Sequence, residues 1–125
     1  MPESERPNIL LIMTDQHRGD TLSLERHPVV QTPNMDHIGG RGMHFKRAYT
    51  TCPSCIAARR SVLSGQFPST HGMVGFQDRI EWHPKATMPG ELTKAGYQTA
   101  IVGRTMHQWP REKRYGFETQ ELVTG

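Results

Sequence analysis

The chain has no long hydrophobic run. Its longest stretch of consecutive apolar side chains is Ile9-Leu10-Leu11-Ile12-Met13, well short of the roughly 18 residues that a membrane-crossing helix needs. The same run is too short for the apolar heart of a secretory leader, and no small-residue cleavage site follows it. The expected setting is therefore cytoplasmic, with no membrane partner. Cysteine is also scarce: two residues in 125 cannot staple a small secreted fold. Aromatic side chains make up 7% and apolar ones 34% of the sequence, so any core is thin. Charge of one sign is lacking too. Fifteen Lys and Arg against twelve Asp and Glu leave +3, and the basic residues are scattered. The densest basic group, Arg111-Glu112-Lys113-Arg114, contains an acid. That pattern reads as a solvated surface, so nucleic acid is not expected as a partner. Internal repeats and low-complexity segments are absent. The size allows one small domain, and the thin core suggests part of something larger.

What is present is an alternation of short elements between Gly and Pro punctuation. Residues 8–14 read as a buried strand, ending at the polar turn Asp15-Gln16. Thr32-Pro33-Asn34 starts a helix, with Thr32 as N-cap and Pro33 in the first turn. Met35 and Ile38 are expected to face inward, and the helix stops by Gly42. Residues 44–50 have room for a second strand carrying Phe45 and Tyr49. Residues 56–63 read as a helix stopped by Gly65, residues 91–95 as a helix closed by Gly96, and residues 98–102 as a strand ending at Gly103. Residues 73–89 read as irregular. The order predicts an α/β fold with a mainly parallel sheet. Ligands of such sheets collect beyond the carboxyl ends of the strands. Three polar groups fall there: Asp15-Gln16, the 52–60 segment, and the stretch from Arg104 to His107.

The segment Thr51-Cys52-Pro53-Ser54-Cys55-Ile56-Ala57-Ala58-Arg59-Arg60 admits three chemistries. Cys52 and Cys55 form a Cys-x-x-Cys pair at a helix N-terminus, as a thiol-disulfide oxidoreductase would use. They could be half of a zinc site, but no second Cys pair exists and the seven histidines lack close ligand spacing. Alternatively Cys55 acts alone, with Arg59 four residues along on the same helix face.

Cys55-Ile56-Ala57-Ala58-Arg59, followed by Ser61-Val62-Leu63-Ser64-Gly65, resembles the signature of the formylglycine-dependent (type I) sulfatases of the alkaline phosphatase superfamily. Cys52 cannot take the nucleophile position, because Ile56 stands where Arg is required. Four further segments resemble the family in order: residues 7–16, Thr32-Pro33-Asn34-Met35-Asp36 with Gly42-Met43-His44-Phe45, Pro68-Ser69-Thr70-His71-Gly72, and residues 96–107.

The resemblance implies an alkaline-phosphatase-like α/β sandwich and hydrolysis of sulfuric esters, on a small molecule or a sulfated sugar. It implies that Cys55 is oxidised to formylglycine by a maturation enzyme, and that its hydrate is the nucleophile. A divalent metal, usually calcium, would be held by Asp15, Gln16 and the group made from Cys55. Gln16 replaces an Asp common in the family and ligates without charge. Arg59 would hold the formylglycine. Arg104, where the family usually has Lys, would meet a sulfate oxygen, and His107 would hydrogen-bond the nucleophile or the sulfate. Arg60 is expected on the surface, and His71 is a weaker site candidate. Met13, Met35, Met43, Met73, Met88 and Met106 are expected to fill the core. Trp82 and Trp109 could pack or line a cleft. Further metal ligands of the family come from later sequence, so the chain is expected to be an N-terminal fragment of a catalytic domain. The competing readings are a phosphonate monoester or phosphodiester hydrolase of the same superfamily, the dithiol oxidoreductase, and a non-catalytic remnant.

Overall fold

The computed structural model describes residues 5–104, 109 and 112–123. The chain divides into two compact units, Met1–Ala48 and Tyr49–Gly125. Among the described residues no helix is long and apolar enough to cross a membrane.

The first unit holds two 3-10 turns, Gly19–Thr21 and Ser23–Glu25, and helix α1, Pro33–Arg41. Pro33 stands in the first turn, where its missing N–H costs nothing, and the helix ends as expected at Gly42, whose N–H donates to the Ile38 carbonyl at 3.0 Å. Thr32 occupies the N-cap position, but its hydroxyl does not cap a helix amide. It donates instead to Asp36 Oδ1 at 3.0 Å. The Asp36 carboxylate also accepts from Ser23 Oγ at 2.6 Å and from the Leu24 N–H at 3.1 Å, tying the 23–25 turn to α1. Gly39 permits the approach, since a Cβ there would sit 2.9 Å from Leu24 Cδ2.

These donors hold the Asp36 carboxyl below its ordinary range, with Ser23 contributing most. A carboxylate depressed in the folded state stabilises that state above the ordinary carboxylate range, and the stabilisation disappears as pH falls through the depressed value. The Ser23 and Leu24 amide resonances should therefore shift together on acidification, with a midpoint below that of an unperturbed aspartate, and Asp36→Asn should remove the transition.

Two expected strands of this part of the chain do not form. Ile9, Leu10, Leu11, Ile12 and Met13 are 62%, 83%, 58%, 70% and 49% exposed, and residues 8–14 are irregular. Residues 44–50 are likewise irregular, with Phe45 70% and Tyr49 87% exposed. A strand exists only through a hydrogen-bonded neighbour. Among the described residues the one sheet is the pair β1, Ala100–Gly103, and β2, Thr119–Leu122, so neither apolar run has a ladder to join. Met35 and Ile38 are also exposed rather than inward, at 41% and 65%.

The second unit carries α2, Cys55–Ser64; α3, Pro68–His71; α4, Met88–Lys94; and the β1–β2 pair. α2 buries Ile56, Ala57, Arg60 and Leu63 along one face. It stops at Gly65, which adopts φ 68° and donates to the Ser61 carbonyl at 2.8 Å, a left-handed cap that glycine reaches without strain. α3, not foreseen in the sequence, is a single turn opened by Pro68. α4 begins at Met88, earlier than expected, because Thr87 caps it by accepting from the Gly90 N–H at 3.2 Å. The strands run parallel with Ala100 opposite Thr119, in agreement with the expected parallel sheet. β1 is shorter than the expected 98–102 run, and β2 had no apolar signal.

The core is Ile56, Ala57, Leu63, Met73, Trp82 and Tyr115, flanked by Cys52 and Phe117. Of the methionines expected there, Met73 is buried, while Met13, Met35, Met43 and Met88 are exposed and Met106 lies outside the described residues. Trp82 packs in the core, its ring 5.4 Å from that of Tyr115, whereas Trp109 is half exposed.

Thr87 is buried and does two things at once, since its hydroxyl also donates to the Tyr115 carbonyl at 2.7 Å. Thr87→Ala should cost about 1–2 kcal/mol, the upper part of the N-cap range, read as a lowered denaturant midpoint with unchanged slope.

Candidate active site

The site is built on the start of α2. Ser54, in extended conformation, precedes the helix, and its carbonyl accepts from the Ala58 N–H at 2.8 Å. Its hydroxyl is buried and has no hydrogen-bond partner. Cys55 is the first helical residue, half-buried and not in a disulfide; Cys52 is likewise half-buried and unbridged, packed against the core. The positive end of the helix dipole therefore lies at position 55, where it favours an anion.

Arg59 stands one turn further along the same face. Its Nη1 donates to the backbone carbonyl of Arg104 at 2.9 Å. Arg104 follows β1 directly, after Gly103 turns the chain at φ 105°. This bond joins the helix that bears Cys55 to the carboxyl end of a parallel strand, the place where α/β proteins gather ligands. Arg59, from the second polar group picked out in the sequence, thus meets Arg104, the first residue of the third. His107 lies outside the described residues.

Asp15 and Gln16 are exposed on a turn of the first unit, with Gln16 in the left-handed region at φ 54°. Both offer hard oxygen donors of the kind calcium takes. Among the described residues, no group of three or more His, Cys, Asp or Glu is placed to hold a metal ion. Asp15 and Gln16 fit a calcium site in donor chemistry and would supply only part of one, since calcium takes about six to eight oxygens.

His71 is structural. Its Nδ1 accepts from the Met73 N–H at 3.3 Å, so Nε2 carries the proton and donates to Ser61 Oγ at 3.0 Å. Thr51 Oγ1 donates to the same Ser61 oxygen at 3.2 Å, bracing the loop before Cys55 against α2. Burial, helped by the nearby Arg60 charge, lowers the His71 pKa and keeps it neutral.

Arg60 corrects the sequence reading outright. Expected on the surface, it is 4% exposed. Its guanidinium lies 5.2 Å from the centre of the Trp82 ring and donates from Nη2 to the Ile80 carbonyl at 2.5 Å. The signal was available in the spacing: 56, 57, 60 and 63 form one helical stripe, and Arg60 sits within it.

The family model described as Sulfatase matches residues 7–122. An arylsulfatase of Clostridium perfringens is 42% identical over 120 residues, which are 96% of this chain and 25% of that protein. Among solved structures, one of a protein bound to its substrate D-glucosamine-2-N,6-O-disulfate superposes with a TM-score of 0.78 at 33% identity, covering 93% of this chain and 23% of that one. The phosphonate monoester hydrolase of Agrobacterium radiobacter gives a TM-score of 0.81 at 27% identity, covering 95% and 26%. The chain spans about a quarter of the length of the curated relatives it matches. Its helices and parallel strand pair correspond to part of the alkaline-phosphatase-like fold of these proteins. With the Cys55 to Gly65 pattern seated on one helix, and that helix tied to the end of β1, the chain belongs to the sulfatase family.

Proposed function

We propose that residues 1–125 form the nucleophile-bearing part of a formylglycine-dependent sulfatase that hydrolyses sulfuric esters, of a small molecule or a sulfated sugar, with calcium as the divalent metal. The observation that carries this reading is the Arg59 to Arg104 bond, which brings the two signature segments to one strand end. Formylglycine, which a separate maturation enzyme would make from Cys55, would supply a hydrated aldehyde: one hydroxyl would attack sulfur as the ester S–O bond breaks and the alcohol leaves, and loss of the proton from the second would re-form the aldehyde and expel sulfate. Arg59, one turn along the helix, would hold the oxygen at position 55 and offset its charge. Arg104 would direct its guanidinium at a sulfate oxygen, where a planar fork grips two oxygens and a lysine grips one. His107 would hydrogen-bond the nucleophile or the departing sulfate. Asp15 and Gln16, with the group at position 55, would hold calcium, which polarises the ester oxygens.

Likeness to the phosphonate monoester hydrolase supports a second reading, hydrolysis of phosphonate or phosphate esters by the same residues. The test is a comparison of aryl sulfate with aryl phosphonate turnover by the protein carrying this chain. The sulfatase reading expects kcat/KM for the sulfate to exceed that for the phosphonate, and activity to vanish with a calcium chelator and return with calcium. The reverse order of substrates overturns it in favour of the second reading.

A further inference from the structure

Arg60 occupies a position where helix periodicity asks for an apolar residue. It lies between Ala57, 0% exposed, and Leu63, 8% exposed, on the inner stripe of α2. Its Nε is buried without a hydrogen-bond partner, and no carboxylate is paired with it among the described residues. Burial pushes its pKa below the ordinary arginine value. An apolar side chain would avoid this desolvation, so stability alone does not explain a cation here.

The guanidinium does supply direction. Ile56, Ala57 and Leu63 contact the core through apolar surface, which resists separation but resists rotation weakly, because hydrophobic contact is non-directional. Arg60 adds two directional anchors, the Trp82 ring and the Ile80 carbonyl, two residues apart on the segment that faces α2. Trp82 is itself packed on Tyr115, which also has Lys113 Nζ 5.6 Å from its ring centre. Successive residues project about 100° apart around a helix, so the anchor that fixes Arg60 also fixes where Arg59 points. We infer that Arg60 is a positioning residue: clamped by Trp82 and Ile80, it sets the roll of α2 and thereby aims Arg59 at the end of β1. The functional weight of this device rests on the proposed role of Arg59 in the sulfatase site; the geometric claim does not.

The test uses the full chain with Cys55 unconverted and reads the hindered Nη resonances of Arg59 in nitrogen-15 spectra, assigned by their loss in Arg59→Lys. In the parent chain the bond to Arg104 slows guanidinium rotation, and these signals are observed. In Arg60→Met, and in Arg60→Lys, which keeps the charge but loses the planar stack, the Arg59 signals are lost while the amide signals of residues 56–63 keep their helical shifts. Should Arg60→Met not fold, Arg60→Lys and Trp82→Leu carry the test. Persistence of the Arg59 signals in a folded variant overturns the inference and leaves Arg60 as core filling. A Cys55 that is never converted would overturn the proposed function without touching this result.

Discussion

Cys55→Ala is expected to abolish the proposed sulfate-ester hydrolysis by the protein carrying this chain, lowering kcat by at least about 10³-fold, as loss of a covalent nucleophile does. The expectation follows from place as well as residue type. Position 55 opens α2, where the helix dipole favours the negative charge that an attacking oxygen develops. Arg59 stands one turn along, tied to the strand end. The side chain is half-buried and outside the core cluster, so the variant should melt close to the parent and the loss should be chemical. Cys52→Ala is the companion measurement. Cys52 belongs to the rim of the core and has no part in the proposed chemistry, so its removal should leave hydrolysis in place. A dithiol oxidoreductase would need both thiols, and equal loss in the two variants would favour that reading. Steady-state kinetics with an aryl sulfate, beside thermal melts of each variant, decide the matter.

The second large effect falls on stability. Trp82→Ala should destabilise the unit formed by residues 49–125 by about 3–5 kcal/mol, the range for truncating a large buried aromatic side chain. Trp82 is 7% exposed and touches three groups: Tyr115 at 5.4 Å, His71 edge-on at 6.3 Å, and the Arg60 guanidinium at 5.2 Å. Its loss leaves a void beside Ile56, Met73 and Tyr115 in the core and strips a buried cation of its stacking partner. Because small domains hold only about 5–15 kcal/mol in total, the effect should approach loss of the cooperative transition. Urea unfolding followed by far-ultraviolet circular dichroism reads it directly. Trp82→Phe, which keeps an aromatic face under Arg60, should recover most of the midpoint.

The parts of the fold legible in the sequence were those written in local chemistry. Pro33 and Gly42 bracket α1, and Gly65 stops α2, because proline and glycine fix backbone angles whatever surrounds them. Strands were harder in both directions. Residues 9–13 carry the strongest apolar run yet form no strand, while Thr119-Gln120-Glu121-Leu122 is polar and does. Pairing decides strands, and pairing is not local. In the candidate site, the Cys55 and Arg59 spacing was visible as one helix turn, but the Arg59 to Arg104 bond spans 45 residues and no periodicity encodes it. Arg60 departs from the sequence expectation for a different reason. Residue type outweighed position, although the stripe of Ile56, Ala57 and Leu63 already marked it as inward.

The proposed chemistry turns on the chemical state of position 55. Mass spectrometry of the peptide containing Cys55, from protein made in a host that has the maturation enzyme, tests it most directly. Conversion of a thiol to an aldehyde exchanges sulfur for oxygen with loss of two hydrogens, and the peptide should be lighter by about 18 Da, with Cys52 unchanged. A peptide of unaltered mass with a free thiol at Cys55, from that same host, would contradict the proposed nucleophile and the sulfatase mechanism built on it.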